Sequence, residues 1–432
     1  YSESPVRLDL TANKQLSLSD QTKKILSNLD EEILATAFYT PGEINIQNQA
    51  EDLLNEFRRR SQGKFSYRIV DPQKDRTLAK RYDVSIDGVI IFEEPSSQRR
   101  TPVFTEINNM AIVTEQDFTS AILVVTGQKQ KKVYFLVGHG EHDIYDISVD
   151  TTGYGSAARA LIGDNYNFET INLREKGSIP DDAAALVIAG PTKDLEEAQP
   201  AILDTPATPS EIDILYNWLL DGGNALFLLN PDTPKTFTDI LSNWGVNVGT
   251  DTIVDQDSSV FGDPRTPLLN KGQYSNETLI TRGQPPITEP LNVTFFPEAT
   301  SLGIELAPEK RPPWITYAPF AFTSRNSWLA SDPEDNDRPN NQIAGFLPIG
   351  MAITGLSTQN TEPTKNSKLT TIVVLGDSDF ANNRYFSAVT NGDLFLNSIN
   401  WLTNRYELIS IRSKPQVYRD LILTREEFSF IR

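Results

Sequence analysis

The chain has 432 residues, 38% of them apolar and 22% charged, the composition of a folded protein of about three domains at ~150 residues each, which excludes disorder. Its 39 basic residues stand against 58 acidic ones, a formal charge of −19, which argues against a broad phosphate-binding surface and so against nucleic acid as a partner. With no cysteine and only two histidines, thiol catalysis, disulfides, Cys-ligated zinc or iron–sulfur centres and three-His metal sites are excluded.

Residues 1–16 have no clear period and form a leading segment. Residues 17–127 read as a first domain. Ser19 caps a helix bearing Ile25, Leu26 and Leu29,. A strand follows at about 32–40, then a helix with Ala50, Leu53, Leu54 and Phe57 at i, i+3, i+4, i+7 spacing,. Next come a strand at 65–71, a short helix at 76–84, strands at 87–94 and 101–106 paired as a hairpin, and a helix at 115–127. That order, β-α-β-α-β-β-α after the leading helix, is thioredoxin-like. The redox function does not come with it. Tyr39-Thr40-Pro41-Gly42 occupies the place of a dithiol, and Ser85-Ile86-Asp87 that of a cis-proline loop.

Residues 128–408 read as a second α/β domain, doubly wound on a mostly parallel sheet of Rossmann, flavodoxin or amidotransferase type. Its strands at 131–138, 184–191, 224–231 and 370–380 are short apolar runs, the mark of strands buried on both faces,. Helices at 156–164, 210–223 and 393–403 alternate with them,. The 210–223 helix carries Ile212, Leu215, Tyr216 and Leu219 on one face and stops at Gly222,. An insertion at 251–365 holds 14 of the 27 prolines, which predicts a loop-rich excursion with some edge β structure. Residues 409–432 form a tail with Arg412, Lys414, Arg419, Arg425 and Arg432. A locally basic end on an acidic chain fits either a membrane exit or an exposed charged tail. No stretch has the ~20 apolar residues that cross a bilayer. The start at Tyr1 marks a processed product or part of something longer.

Two strand ends carry candidate chemistry. Gly138-His139-Gly140-Glu141-His142-Asp143 follows one buried strand and Asp377-Ser378-Asp379 another. In open α/β sheets ligands bind beyond the carboxyl ends of strands. His139, Gly140, Glu141, Asp377 and Asp379 would then line one crevice, binding a ligand or supplying an acid, base or metal ligand. The plain alternative is a tight turn whose carboxylates cap helices. Gly153-Tyr154-Gly155-Ser156-Ala157-Ala158 fits the dinucleotide pattern G-x-G-x-x-A, but no strand runs into it, so Ser156 reads as a helix cap,. There is no P-loop and no G-x-S-x-G elbow,. Trp314, Tyr317, Phe320, Phe322 and Trp328 cluster in the insertion, either as a local core or as a surface for glycan or a protein partner.

Several of these segments together resemble a known family. They are Leu8-Asp9-Leu10-Thr11, Leu16-Ser17-Leu18-Ser19-Asp20-Gln21-Thr22, Ile69-Val70-Asp71-Pro72, Gly138-His139-Gly140-Glu141, Ala189-Gly190-Pro191, Gly222-Gly223, Gly376-Asp377-Ser378-Asp379-Phe380 and Asn397-Ser398-Ile399-Asn400-Trp401-Leu402. In this order they resemble the gliding-motility auxiliary (GldG-like) family of ABC transporter components, over nearly the whole chain apart from the insertion. The resemblance implies an extracytoplasmic region, periplasmic or at the cell surface, between flanking membrane helices absent from this chain. It implies an ABC permease and its ATPase as partners, a role in export, surface assembly or gliding, no cofactor and no catalytic residue. Relatives of the domain act as assembly modules in intraflagellar transport. The expected function is a non-enzymatic scaffold. The rivals are a glycan- or peptide-binding module and a metal-assisted hydrolase built on His139, Glu141 and Asp377.

Overall fold

In a computed structural model of the chain, residues 18–408 are described apart from 41–43, 85–87, 108–109, 112–113, 128–129, 202–206, 261, 276–286, 289, 306–313, 333–335, 341, 343, 357–367 and 406–407. The leading segment 1–16, the 85–87 loop and the tail 409–432 lie outside the described residues. Two units divide between Gln130 and Lys131, both of mixed α/β construction.

The first unit runs α1 (Asp20–Ser27), β1 (Ile33–Phe38), α2 (Ile44–Arg60), β2 (Phe65–Val70), α3 (Arg76–Arg81), β3 (Val89–Glu94), β4 (Arg99–Phe104), the short pair β5 (Glu106–Ile107) and β6 (Met110–Ala111), and α4 (Glu115–Val125). Its four-stranded sheet has the order β2-β1-β3-β4. The β1/β2 pair is parallel and the other two are antiparallel. Ser19 caps α1, its side chain accepting from the Thr22 amide. Phe57 of α2, Phe65 and Phe92 of the sheet and Phe118 of α4 close a ring of aromatic contacts with centroids 5.1 to 5.9 Å apart. This packs two helices on one sheet face. Tyr39, just after β1, is buried and donates its hydroxyl to Thr105 Oγ1 at 2.9 Å.

The second unit runs β7 (Lys131–Leu136), α5 (Gly155–Gly163), β8 (Tyr166–Ile171), α6 (Leu173–Lys176), β9 (Ala183–Ala189), α7 (Glu211–Leu220), β10 (Asn224–Leu228) and α8 (Lys235–Asn243). The insertion then supplies β11 (Val246–Asp255), β12 (Ser259–Val260), β13 (Asp263–Asn270), β14 (Val293–Phe295), β15 (Thr300–Ile304), β16 (Ile315–Phe322), β17 (Ser327–Ala330) and β18 (Pro348–Leu356). β19 (Leu369–Leu375) and α9 (Asn391–Leu402) follow. Seven strands form one sheet in the order β16-β18-β19-β10-β9-β7-β8. The five from β19 to β8 are parallel. β18 and β16 extend that sheet in antiparallel pairing. The chain moves from β7 to β8 on one side and then to β9, β10 and β19 on the other, so strand order reverses at β7.

Alternate residues of these strands feed two cores on opposite faces. Val133, Phe135, Val187, Leu226 and Val373 pack with Tyr154 and Leu161 near α5 and with Leu394, Phe395 and Ile399 of α9. Tyr134, Leu186, Phe227 and Ile372 pack with Leu215 and Leu219 of α7 and Phe237 and Ile240 of α8. Burial on both faces is why the strands read as unbroken apolar runs.

The insertion holds more strand than its prolines predict. Two of its strands complete the large sheet, and two three-stranded sheets, β15-β11-β17 and β12-β13-β14, make up the rest. Two of its prolines fit because of where they stand. Pro319 lies on the edge strand β16 at a register shift, and Pro348 opens β18, the positions where a missing ladder donor costs least.

Candidate functional site

The loops at the carboxyl ends of β7, β9, β10 and β19 meet as two separate polar clusters. In the first, His139 is buried. Its amide donates to Glu141 Oε2 at 2.7 Å, its ring Nδ1 lies 3.1 Å from Glu141 Oε1, and its Nε2 lies 2.8 Å from Glu211 Oε2. Glu211 is the first residue of α7, behind the N-cap Ser210. Its carboxylate also accepts from the Arg174 and Glu196 amides at 3.0 and 2.9 Å. The His139 carbonyl accepts from the Thr192 and Lys193 amides at 2.8 and 2.9 Å. Burial pulls the imidazole pKa down, but the bonds to Glu141 and Glu211 outweigh it and hold the pKa above its ordinary value,. Gly140 has φ +83, and a Cβ there would come within 2.0 Å of Thr192 Oγ1. The turn therefore requires glycine. Both ring nitrogens are thus engaged, Nδ1 by Glu141 of the same turn and Nε2 by Glu211 of α7, while the backbone carbonyl ties the turn to the loop after β9.

The second cluster centres on His142, not His139. The His142 ring stacks on Tyr154 at 4.8 Å and 12°. Its Nε2 lies 2.9 Å from Ser378 Oγ and 3.9 Å from Asp379 Oδ1. Ser378 is fully buried. Its amide donates to Asn230 Oδ1 at 2.9 Å, its hydroxyl lies 3.0 Å from the same oxygen, and its carbonyl accepts from the Tyr154 hydroxyl. The Ser378 hydroxyl thus lies within hydrogen-bond reach of both Asn230 Oδ1 and His142 Nε2, and the tautomer of His142 sets which of the two receives its proton. Burial holds the His142 pKa below its ordinary value, partly opposed by Asp379. Gly190, at φ +64, stands beside the pair, and a Cβ there would lie 2.8 Å from both His142 Nε2 and Ser378 Oγ.

Asp377 is fully buried beneath this turn and accepts from the Asp379 and Phe380 amides at 2.7 and 3.2 Å. Burial, reinforced by Asp379, raises its pKa well above the ordinary carboxylate value,. It caps a turn. The expected crevice therefore divides: His139, Gly140 and Glu141 belong to one knot, while Asp377 and Asp379 belong to another that recruits His142. Among the described residues no group of three or more His, Asp or Glu is placed to hold a metal ion.

Residues that sequence reasoning did not single out do much of the joining. Glu211, Asn230 and Tyr154 are three. Asn383 is a fourth, nearly fully buried. Its Oδ1 accepts from the Ser156 amide at 2.8 Å, and its Nδ2 donates to the Asp146 and Ser148 carbonyls at 2.6 and 3.0 Å. Ser156 is thus no cap. It lies inside α5, and Asn383 caps its amide. Each of these residues acts across more than 60 positions of sequence, so no local pattern announces it.

Of the five clustered aromatic residues of the insertion, two are interior, and Trp314, Tyr317 and Phe322 are half-buried. Phe320 is fully buried and Trp328 nearly so, packed on Val254 and Ala330. Trp314 meets Trp244 edge-on at 5.1 Å, and the Tyr317 hydroxyl donates to the Trp244 carbonyl at 3.0 Å. The asparagines of 397–400 are interior too. Asn397 donates to the Ile287 carbonyl at 3.2 Å, and Asn400 accepts from the Tyr166 hydroxyl at 2.8 Å.

Among the described residues no helix is long and apolar enough to cross a membrane. No curated protein matches the chain. Among solved structures it is similar to the "mmIFT52 N-terminal domain", at 16% identity and a TM-score of 0.41, over 63% of this chain and 97% of that one. Residues 12–114 match the model of a domain of unknown function. Residues 130–405, well over half of the chain, match the family model described as an ABC-type uncharacterized transport system, and the chain belongs to that family.

Proposed function

We propose that this chain is a non-enzymatic, extracytoplasmic auxiliary component of an ABC transport system, a protein-interaction scaffold for export, surface assembly or gliding motility, tethered to the inner membrane in the full-length protein. The observation that carries the proposal is the family match over 130–405. Its partners are then a permease and an ATPase, and the ATPase supplies the energy, because this sequence has no P-loop,.

The strand-end geometry supports the non-enzymatic part. His139 and Ser378 are the groups with the most chemical promise, and both are buried and bonded within the fold. The order β2-β1-β3-β4 with its single parallel pair supports a thioredoxin-like reading of the first unit, and the strand reversal at β7 supports a doubly wound reading of the second,. Either would be a rigid platform. The rivals draw less support. Phe320 and Trp328 are buried and offer no ring face to a glycan, and His139 and Glu141 do not converge with Asp377 on a metal.

The test is affinity isolation of the tagged full-length protein from native membranes. Permease and ATPase subunits are the expected companions. Their absence from repeated isolations would overturn the proposal.

A further inference from the structure

From the loop Asp143–Gly153, which joins β7 to α5, we infer that the protein docks a segment of another protein carrying aliphatic side chains flanked by Lys or Arg. The inference rests on the scaffold reading above and gives it a surface. Tyr145, Ile147 and Val149 are 62, 66 and 74% exposed. They are three of the nine large apolar residues exposed among the described residues, gathered within five consecutive positions, so they are not the scattered exposure that needs no explanation.

The loop that carries them is firmly built. Asp143 and Asp146 accept the amides two residues ahead, of Tyr145 at 2.8 Å and Ser148 at 2.9 Å. The carbonyls of Asp146 and Ser148 accept from Asn383, and that of Asp150 from Arg384 at 3.0 Å. The Gly155 amide donates to the Asp146 carbonyl at 3.0 Å. A Cβ at Gly153 or Gly155 would come within 2.6 Å of Asp146 atoms. A loop held this closely keeps its apolar side chains outward at little ordering cost when a partner binds. It also leaves from the carboxyl end of β7, beside the strand reversal, where folds of this layout place ligands.

Charge selects the occupant. Residues 143–153 contain three Asp and no Lys or Arg, and Arg384, bonded to the Asp150 carbonyl, offsets only part of that negative charge. The Ser148 amide and the Thr151 and Ser148 hydroxyls hold the Asp146 carboxyl below its ordinary pKa, so it is ionised at neutral pH. A chain of charge −19 repels a second copy of itself and an anionic membrane surface alike,. A basic, aliphatic protein segment is complementary on both counts.

The probe is a short fluorescein-labelled peptide of alternating Val and Lys, titrated with the full chain and followed by anisotropy. Saturable binding is expected. It should weaken about tenfold or more for the same peptide with Glu in place of Lys, at high salt, and for the Ile147→Ser/Val149→Ser chain. Tyr145→Ser supplies a second variant, and unchanged thermal unfolding confirms that each folds. No saturable binding, equal binding of the Glu peptide, or indifference to the substitutions would overturn the inference. So would vesicle binding or self-association that the double substitution abolishes. If wild-type full-length protein brings down its permease but never binds the peptide, this surface fails while the scaffold reading stands. If the permease is missing, the scaffold reading itself fails.

Discussion

At the scale of the residue, the most informative side chain is His139, held between two carboxylates in the interior. Removing Glu211 would leave an imidazole and two backbone amides without their acceptor. Glu211→Ala is expected to cost about 3–5 kcal/mol, the usual range for breaking a buried pair, where a solvated glutamate costs almost nothing. Urea unfolding measures the difference. The pH dependence follows from the direction of the shift. A histidine whose folded pKa is raised stabilises the protein fully below its unfolded value of about 6.5, and that stabilisation is lost as pH rises through the raised folded value. The contribution of His139 is therefore lost on passing from mildly acidic to alkaline solution. His139→Asn should show a flatter profile over the same range, and an identical slope in both would contradict the assignment.

At the scale of the element, Asn383 joins the 143–153 loop to the first turn of α5. Asn383→Ala removes a helix cap and the donors to two carbonyls. The expected loss is about 2 kcal/mol, with hydrogen exchange rising first in 146–158. Exchange that rises evenly over the second unit would contradict that local role. The same elements mark what the sequence discloses. Strands β7, β9, β10 and β19 are central and buried on both faces, so their apolar runs are plain, while Ser19 announces α1 by cap chemistry and the apolar face with its stop at Gly222 announces α7. β8 escapes because it is an edge strand with polar residues at Asn167, Glu169 and Thr170. α8 escapes because Pro234 opens it without a side-chain cap. Of the site, the two strand-end turns are legible, but their division is not. That His142, not His139, reaches the 377–379 turn depends on which face of the sheet each ring takes after a turn with two left-handed glycines, and no periodicity encodes it.

At the scale of the whole molecule, an acidic α/β chain in an ABC transport family has its strand-end polar groups turned inward and a firmly held apolar loop turned outward. That division of labour suits the proposed platform, in which interior polar bonds would fix the loops and the loops would meet partners. The alternative, chemistry at the strand ends, has one specific embodiment in the Ser378–His142 pair. Ser378→Ala removes the hydroxyl and little else, at about 1 kcal/mol. The decisive measurement is isolation of the full-length Ser378→Ala protein from native membranes beside the wild type, quantifying permease and ATPase subunits and scoring rescue of a strain lacking the gene. We predict equal subunit ratios and full rescue. A variant that folds and assembles but leaves the strain without function would contradict the account.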